Sequence, residues 1–181
     1  MKGTLALPLG LGLCLLPFAS AAPAALLIDE GFNNFEFGVR PDGWIFTNCN
    51  ANSDVYTSAA YYGYGRPALM LDDTGDSAAS AAFSAGSGLE LKFWYRGDST
   101  DATSNLLVEQ KYAGSWNSLT SLSSLPPSGT ESPFIPLSAS ASGVKFSYTK
   151  SFGKLALDDV RIISRRYMRV TYLSWTLQGS T

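Results

Sequence analysis

The nine residues LELKFWYRG (Leu89–Gly97) place apolar side chains at every second position. In a strand, successive side chains point to opposite faces. Leu89, Leu91, Phe93 and Tyr95 therefore share one side, and Glu90, Lys92, Trp94 and Arg96 share the other. The run reads as a strand with one face in a core. GVKFSYT (Gly143–Thr149) repeats the pattern, with Val144, Phe146 and Tyr148 inward and Lys145, Ser147 and Thr149 outward.

Outward from these two runs, helical periodicity is absent and short β-type stretches recur between clusters of Gly, Pro, Ser and Asn. They are ALLIDE (Ala25–Glu30), WIFT (Trp44–Thr47), RPALMLD (Arg66–Asp72), NLLVEQKY (Asn105–Tyr112) with a partner near Ser118–Leu122 across AGSWN, PFIPL, and LALDDVRII. Residues Lys150–Gly153 predict a second hairpin turn. Eight or nine short strands at about ten-residue spacing indicate an all-β fold, an antiparallel β-sandwich of the jelly-roll type. SAASAAFSAGSG (Ser77–Gly88) and the span Ser118–Ser142 read as loops or weak edge strands.

The ends differ from this body. Lys2, an apolar stretch from Leu5 to Phe18 and the small residues Ala19-Ser20-Ala21 have the layout of an export signal, and the apolar part is short for a membrane span of roughly 20 residues. Residues 1–21 are expected to be removed, 22–163 to form the sandwich domain, and 164–181 to be a basic tail of uncertain structure. No membrane attachment is expected after signal cleavage. Residues 22–163 carry nine basic and fifteen acidic side chains, net −6. An acidic body argues against nucleic acid as a partner, because phosphate binding needs a basic surface. With no histidine, and only Cys49 left after cleavage, Ser-His-Asp and Cys-His triads, zinc-thiolate sites and an intrachain disulfide all drop out.

Trp94 stands in the middle of a charged outward row. Either it packs under a crossing loop with the Lys92 and Arg96 stems alongside, or its flat ring covers a sugar face while the two cations donate to hydroxyls. The glycine-rich YYGYG (Tyr61–Gly65) adds loop tyrosines of a kind common in recognition. Trp94, Lys92, Arg96, Tyr61 and Tyr62 are thus the candidate ligand-binding residues, for a polysaccharide or a cell-surface glycan or protein. Trp44 and Trp116 are assigned to packing.

LALDDVRI (Leu155–Ile162) poses a separate problem. Strict alternation cannot place Asp158 and Asp159 in the same layer, and it groups Asp158 with Ala156 and Val160 as the inward carboxylate. A buried carboxylate needs a cation or several donors. Asp72, Asp73 and Asp76 in LDDTGD form another acid-rich turn, readable as a solvated Asp/Gly connection or as part of an oxygen cage.

DEGFNNFEFGVRPDGW, ALMLDDTGD, LKFWYRG, LLVEQKYAGSWNSL and VKFSYTKSFGKLALDDVRI, in this order over about Leu26–Ile162, resemble secreted bacterial jelly-roll modules similar to the cleaved-adhesin and MAM-like domains of the concanavalin-like group. The resemblance implies a non-catalytic binding or adhesion module. It also implies a structural calcium held by Glu30 on the first strand and by Asp158 and Asp159 in the closing LDD, with Asn33 where the pattern often has glutamate. Backbone N–H groups and arginine donors are the ion-free alternative. Two further readings stand beside it: a structural surface protein without a glycan site, and a concanavalin-like glycoside hydrolase. The latter needs two carboxylates across a cleft, for which Glu90 and Glu109 on adjacent strands are the candidate pair.

Overall fold

Phe93 meets Phe146 edge-on at 5.0 Å between ring centroids, and this contact joins the two layers of the fold. The computed structural model describes residues 24–165. In chain order the strands are β1 (Ala25–Glu30), β2 (Ile45–Thr47), β3 (Val55–Tyr56), β4 (Ala68–Leu71), β5 (Ser77–Ala79) and β6 (Leu89–Asp98), followed by β7 (Asn105–Tyr112), β8 (Ser115–Ser123), β9 (Thr130–Glu131), β10 (Ile135–Pro136), β11 (Gly143–Thr149) and β12 (Lys154–Ser164). All pairings are antiparallel. One sheet is built on the long β6–β12 ladder, with β9 and β10 along the far side of β6, β1 and β4 along the far side of β12, and β3 beyond β4. The other runs β2-β5-β11-β7-β8. The architecture is the expected jelly-roll-type sandwich.

The inward sets are those the alternation gives. Leu89, Leu91, Phe93, Val144, Phe146 and Tyr148 are all buried. Burying each large apolar side chain contributes roughly 1.5–3 kcal/mol. One end of the core is closed by the aromatic cluster Phe32, Phe35, Trp44 and Phe46, whose neighbouring rings lie 4.9–6.5 Å apart. This is the work of the GFNNFEF and PDGW segments, and it agrees with the packing role expected of Trp44.

Two expectations about elements change. Ser77–Ala79 is no edge strand, because β5 is hydrogen-bonded on both sides, to β2 and β11. Its small residues suit an interior position where the two neighbours bring bulkier ones. At the carboxyl end, Ser164 still belongs to β12 and pairs with Leu89, while the Arg165 amide donates to the Gly88 carbonyl at 2.8 Å. The sandwich thus takes in two residues assigned to the tail. The export signal and positions 166–181 lie outside the described residues.

Candidate functional site

The closing strand breaks its own alternation. Asp158 is opposite Trp94 on β6, and the next paired residue, Arg161, is opposite Lys92. Three steps on β12 therefore match two on β6, which is a β-bulge. Asp159 adopts a left-handed backbone, φ 47°, a conformation that Asp tolerates better than most residues. The extra residue resets the phase: Leu155 and Leu157 before it, and Val160 and Ile162 after it, all join the core. Asp158 is fully buried, yet it does not share a face with Val160. It lies on the outward side of the sheet with Trp94, and it is buried because a loop covers it.

That loop is YYGYG. Asp158 Oδ2 accepts the Gly63 amide at 2.7 Å, and Asp159 Oδ2 accepts the Tyr64 amide at 2.7 Å. Asp158 Oδ1 accepts the amide of Asp159 at 2.8 Å. Both carboxylates thus serve one loop on one side of the sheet, which strict alternation had ruled out. Burial, reinforced by the charges of Asp159 and Glu30, pushes the Asp158 carboxyl up to about 7, against the opposing pull of the Gly63 and Asp159 amides. Glu30 Oε1 accepts the Phe32 amide at 2.5 Å, and burial raises its pKa as well. Asn33 is exposed, with its amide group beside Gly65 and Gly31. Glu30 and Asn33 also line a polar cavity of about 230 Å³ that includes Asp29 and Arg40. Arg161 lies 3.7 Å from Asp159 and 3.2 Å from Asp29.

The hard-oxygen chemistry of Glu30, Asn33, Asp158 and Asp159 suits calcium, which takes six to eight such ligands. Among the described residues, however, no three acidic, thiol or imidazole side chains converge on one point closely enough to hold a metal. The two aspartates are already supplied with backbone N–H donors.

The row Lys92, Trp94 and Arg96 comes together as expected, and it is covered. A Cβ at Gly129 would overlap the benzene half of the Trp94 indole, and one at Gly63 would press on its Cγ. Two side-chain-free backbone segments therefore flank the ring, which leaves it partly buried. Lys92 pairs with Glu131 and sits 5.2 Å from the Phe134 ring. Arg96 donates to the Ala60 carbonyl and stacks over Tyr61 at 4.1 Å. Tyr61 in turn stacks on Tyr56, with centroids 4.6 Å apart, and both hydroxyls donate to Asp98. Tyr61 thus anchors the loop, and Tyr62 is half-buried beside it. Tyr64, four residues past Ala60, is 92% exposed. It belongs to the motif the sequence singles out, but its display depends on contacts that only the fold reveals.

The candidate hydrolase pair is separated. Glu90 is on β6 in one sheet and Glu109 on β7 in the other, so they are neither on adjacent strands nor on a shared face. Arg165 lies 2.7 Å from Glu90, and Lys145 lies 2.6 Å from Glu109. In the LDDTGD turn, Asp76 accepts the amides of Asp72 and Asp73, which themselves pair with Lys154 and Lys150. The turn is braced by lysines and by its own backbone.

No protein-family model and no curated protein sequence matches the chain. Solved structures do. The K3 cleaved adhesin domain of Lys-gingipain from Porphyromonas gingivalis W83 is similar at 17% identity over 77% of this chain and 100% of that domain, with a TM-score of 0.61. The CBM22-1 xylan-binding domain of Paenibacillus barcinonensis Xyn10C is similar at 14% identity over 83% and 100%, TM-score 0.54. TmCBM61, solved with β-1,4-galactotriose, is similar at 15% identity over 73% and 92%, TM-score 0.50. The class these define is the β-sandwich of adhesin and carbohydrate-binding domains. At such identities the shared property is the fold.

Proposed function

We propose that this chain is an exported, non-catalytic binding module for a polysaccharide or cell-surface glycan, and that the Tyr61–Gly65 loop is part of its recognition surface. The observation that carries the reading is Tyr64: an almost fully exposed ring on a loop whose backbone is fixed by Asp158, Asp159 and Arg96. An aromatic side chain offers a large contact area at small rotamer cost, and a loop already ordered loses little further entropy on binding. Trp94 and Arg96 support the loop from below, Tyr62 is half-buried within it, and Lys92 is placed at its margin. That similar folds include a xylan-binding domain and a galactotriose complex agrees with a glycan as ligand.

A structural calcium belongs to the same reading. Glu30, Asp158, Asp159 and Asn33 would hold it, and its charge would offset the burial and, after that, the neighbouring Asp159 and Glu30 charges that together raise the Asp158 pKa. The ion would rigidify the loop and take no part in any reaction.

Affinity electrophoresis against a panel of neutral polysaccharides tests the proposal. Retardation by at least one polymer is expected, lost in Tyr64→Ala with an unchanged thermal midpoint. Trp94→Ala should lose binding together with stability, because it acts through the loop. No retardation by any polymer, or full retention in Tyr64→Ala, overturns the reading. For the ion, the midpoint with calcium should fall by several degrees on chelation, and an unchanged midpoint removes calcium from the account.

A further inference from the structure

Trp116, assigned to packing from sequence, lies instead on the outer face of the five-stranded sheet. The register puts Trp116 of β8, Lys111 of β7 and Gly143 of β11 in one row across three strands. The adjoining row is Ser118, Glu109, Lys145, Ala79 and Ile45. A Cβ on Gly143 would stand 3.4 Å from the far edge of the indole, at ordinary contact distance, so the ring edge rests over the Gly143 strand. Beside it opens a cavity of about 190 Å³, with Trp116 and Lys111 on one side, Gly143 and Ala79 as a low floor, and Ser142 and Ile45 at its margins. Ile45 is 68% exposed. The volume is below the roughly 300–1,000 Å³ typical of sites for drug-sized ligands and suits a single ring.

The charges here are not balanced. Lys145 is matched by Glu109 at 2.6 Å. Lys111 is exposed, and among the described residues no carboxylate pairs with it. Its ammonium lies 5.8 Å from the Trp116 ring centre and that of Lys145 lies 5.0 Å away. On a protein of net negative charge, this is a local positive spot around an aromatic wall. A neutral sugar would make no use of the unmatched cation, and a simple anion would make no use of the indole.

The geometry points to Trp116, Lys111 and the Gly143 floor as a subsite for an acidic sugar residue, a uronate. The apolar face of the pyranose stacks on the indole and displaces the flexible Lys111 ammonium from the ring. That ammonium then pairs with the sugar carboxylate, while Ser142 and the Glu109–Lys145 pair lie within the reach of ring hydroxyls. The site lies on the opposite sheet from Tyr64 and is independent of the loop reading.

The test is isothermal titration of the full chain with oligogalacturonate and with its methyl ester, which keeps the ring and removes the charge. The acid should bind at least tenfold more tightly than the ester at low salt, and the advantage should shrink as salt rises. Trp116→Ala should abolish binding of both. Lys111→Gln should weaken only the acid, by about tenfold, to the level of the ester. Gly143→Val, which fills the floor without touching the ring's chemistry, should also abolish binding, and serves if Trp116→Ala folds poorly. Tyr64→Ala should leave uronate binding unchanged, so loss in Tyr64→Ala with retention in Trp116→Ala would assign the sugar to the loop and overturn this site. Absence of binding by the native chain, or equal affinity for acid and ester, overturns it too.

Discussion

Asp158 and Asp159, consecutive on one strand, hold the amides of Gly63 and Tyr64, consecutive on one loop, each at 2.7 Å. The bulge makes this possible, because without it one of the two carboxylates would enter the core. Two adjacent acids thus act as a double clamp on a crossing loop. The clamp joins the closing strand to the segment that displays Tyr64, so the stability of the sandwich and the shape of the proposed recognition surface depend on the same four residues.

The clamp predicts an unusual pH dependence. Burial and the neighbouring Asp159 and Glu30 raise the Asp158 carboxyl from 3.8 to about 7, so the folded chain holds that proton more tightly than the unfolded chain does. Stability from this group is fully present below about pH 4, falls as pH rises towards 7, and is flat above. In metal-free buffer, urea midpoints of the native chain relative to Asp158→Asn should therefore decline from pH 4 to 7. A bound calcium favours the ionised carboxylate and should abolish or reverse that slope.

The Trp94 contact predicts strong coupling. Since a methyl at Gly129 would overlap the indole, Gly129→Ala should destabilise the chain by about 1–3 kcal/mol, the usual cost of overpacking. In a Trp94→Ala background the same substitution meets no ring and should cost almost nothing. A double-mutant cycle in denaturant reads the difference directly. Additive effects would mean that the backbone at Gly129 moves away from Trp94 at no cost.

What the sequence discloses follows from what is local. Alternation in LELKFWYRG and GVKFSYT depends on neighbouring residues alone, and the inward sets it names are buried, except Tyr95, which is half-buried against the core. The bulge at Asp159 is set by the pairing of β12 with β6, and the only local sign of it is a short polar residue able to adopt positive φ. The face that Trp116 occupies is hidden from the sequence for the same reason. Its outward face follows from its place opposite Lys111, after a register shift between Val108 and Glu109, and from the bare Gly143 on the next strand. Ser77–Ala79 reads as weak because interior position in a sheet is a tertiary property.

The β7–β8 hairpin offers a stabilising substitution. Its two-residue turn has Ala113 at φ 50° and Gly114 at φ 80°, the sign pattern of a type I′ turn. Alanine in that conformation carries a penalty of about 1 kcal/mol that asparagine largely avoids. Ala113→Asn should therefore stabilise the chain by up to about 1 kcal/mol, raising the midpoint by about 2–4 °C. Gly114→Ala should act in the opposite direction, although open space surrounds that position, because its backbone conformation is the difficulty. Thermal scans of the two variants beside the native chain check both signs.

Cys49 gives a prediction of inertness. It is 2% exposed, its Sγ lies 3.4 Å from the Thr47 carbonyl and 3.7 Å from that of Ser77, and the carboxylates of Asp76 and Asp54 add repulsion. Burial, the largest cause, together with those charges pushes the thiol up to about 12. The thiolate is the reactive species, and at pH 8 the folded chain would contain almost none of it. Ellman's reagent should therefore modify Cys49 only on unfolding, at a rate that tracks denaturant concentration. Rapid labelling of the native chain would show that the β2–β5 edge around Cys49 opens readily. The five-stranded sheet, and with it the Trp116 face, would then be less rigid than its packing implies.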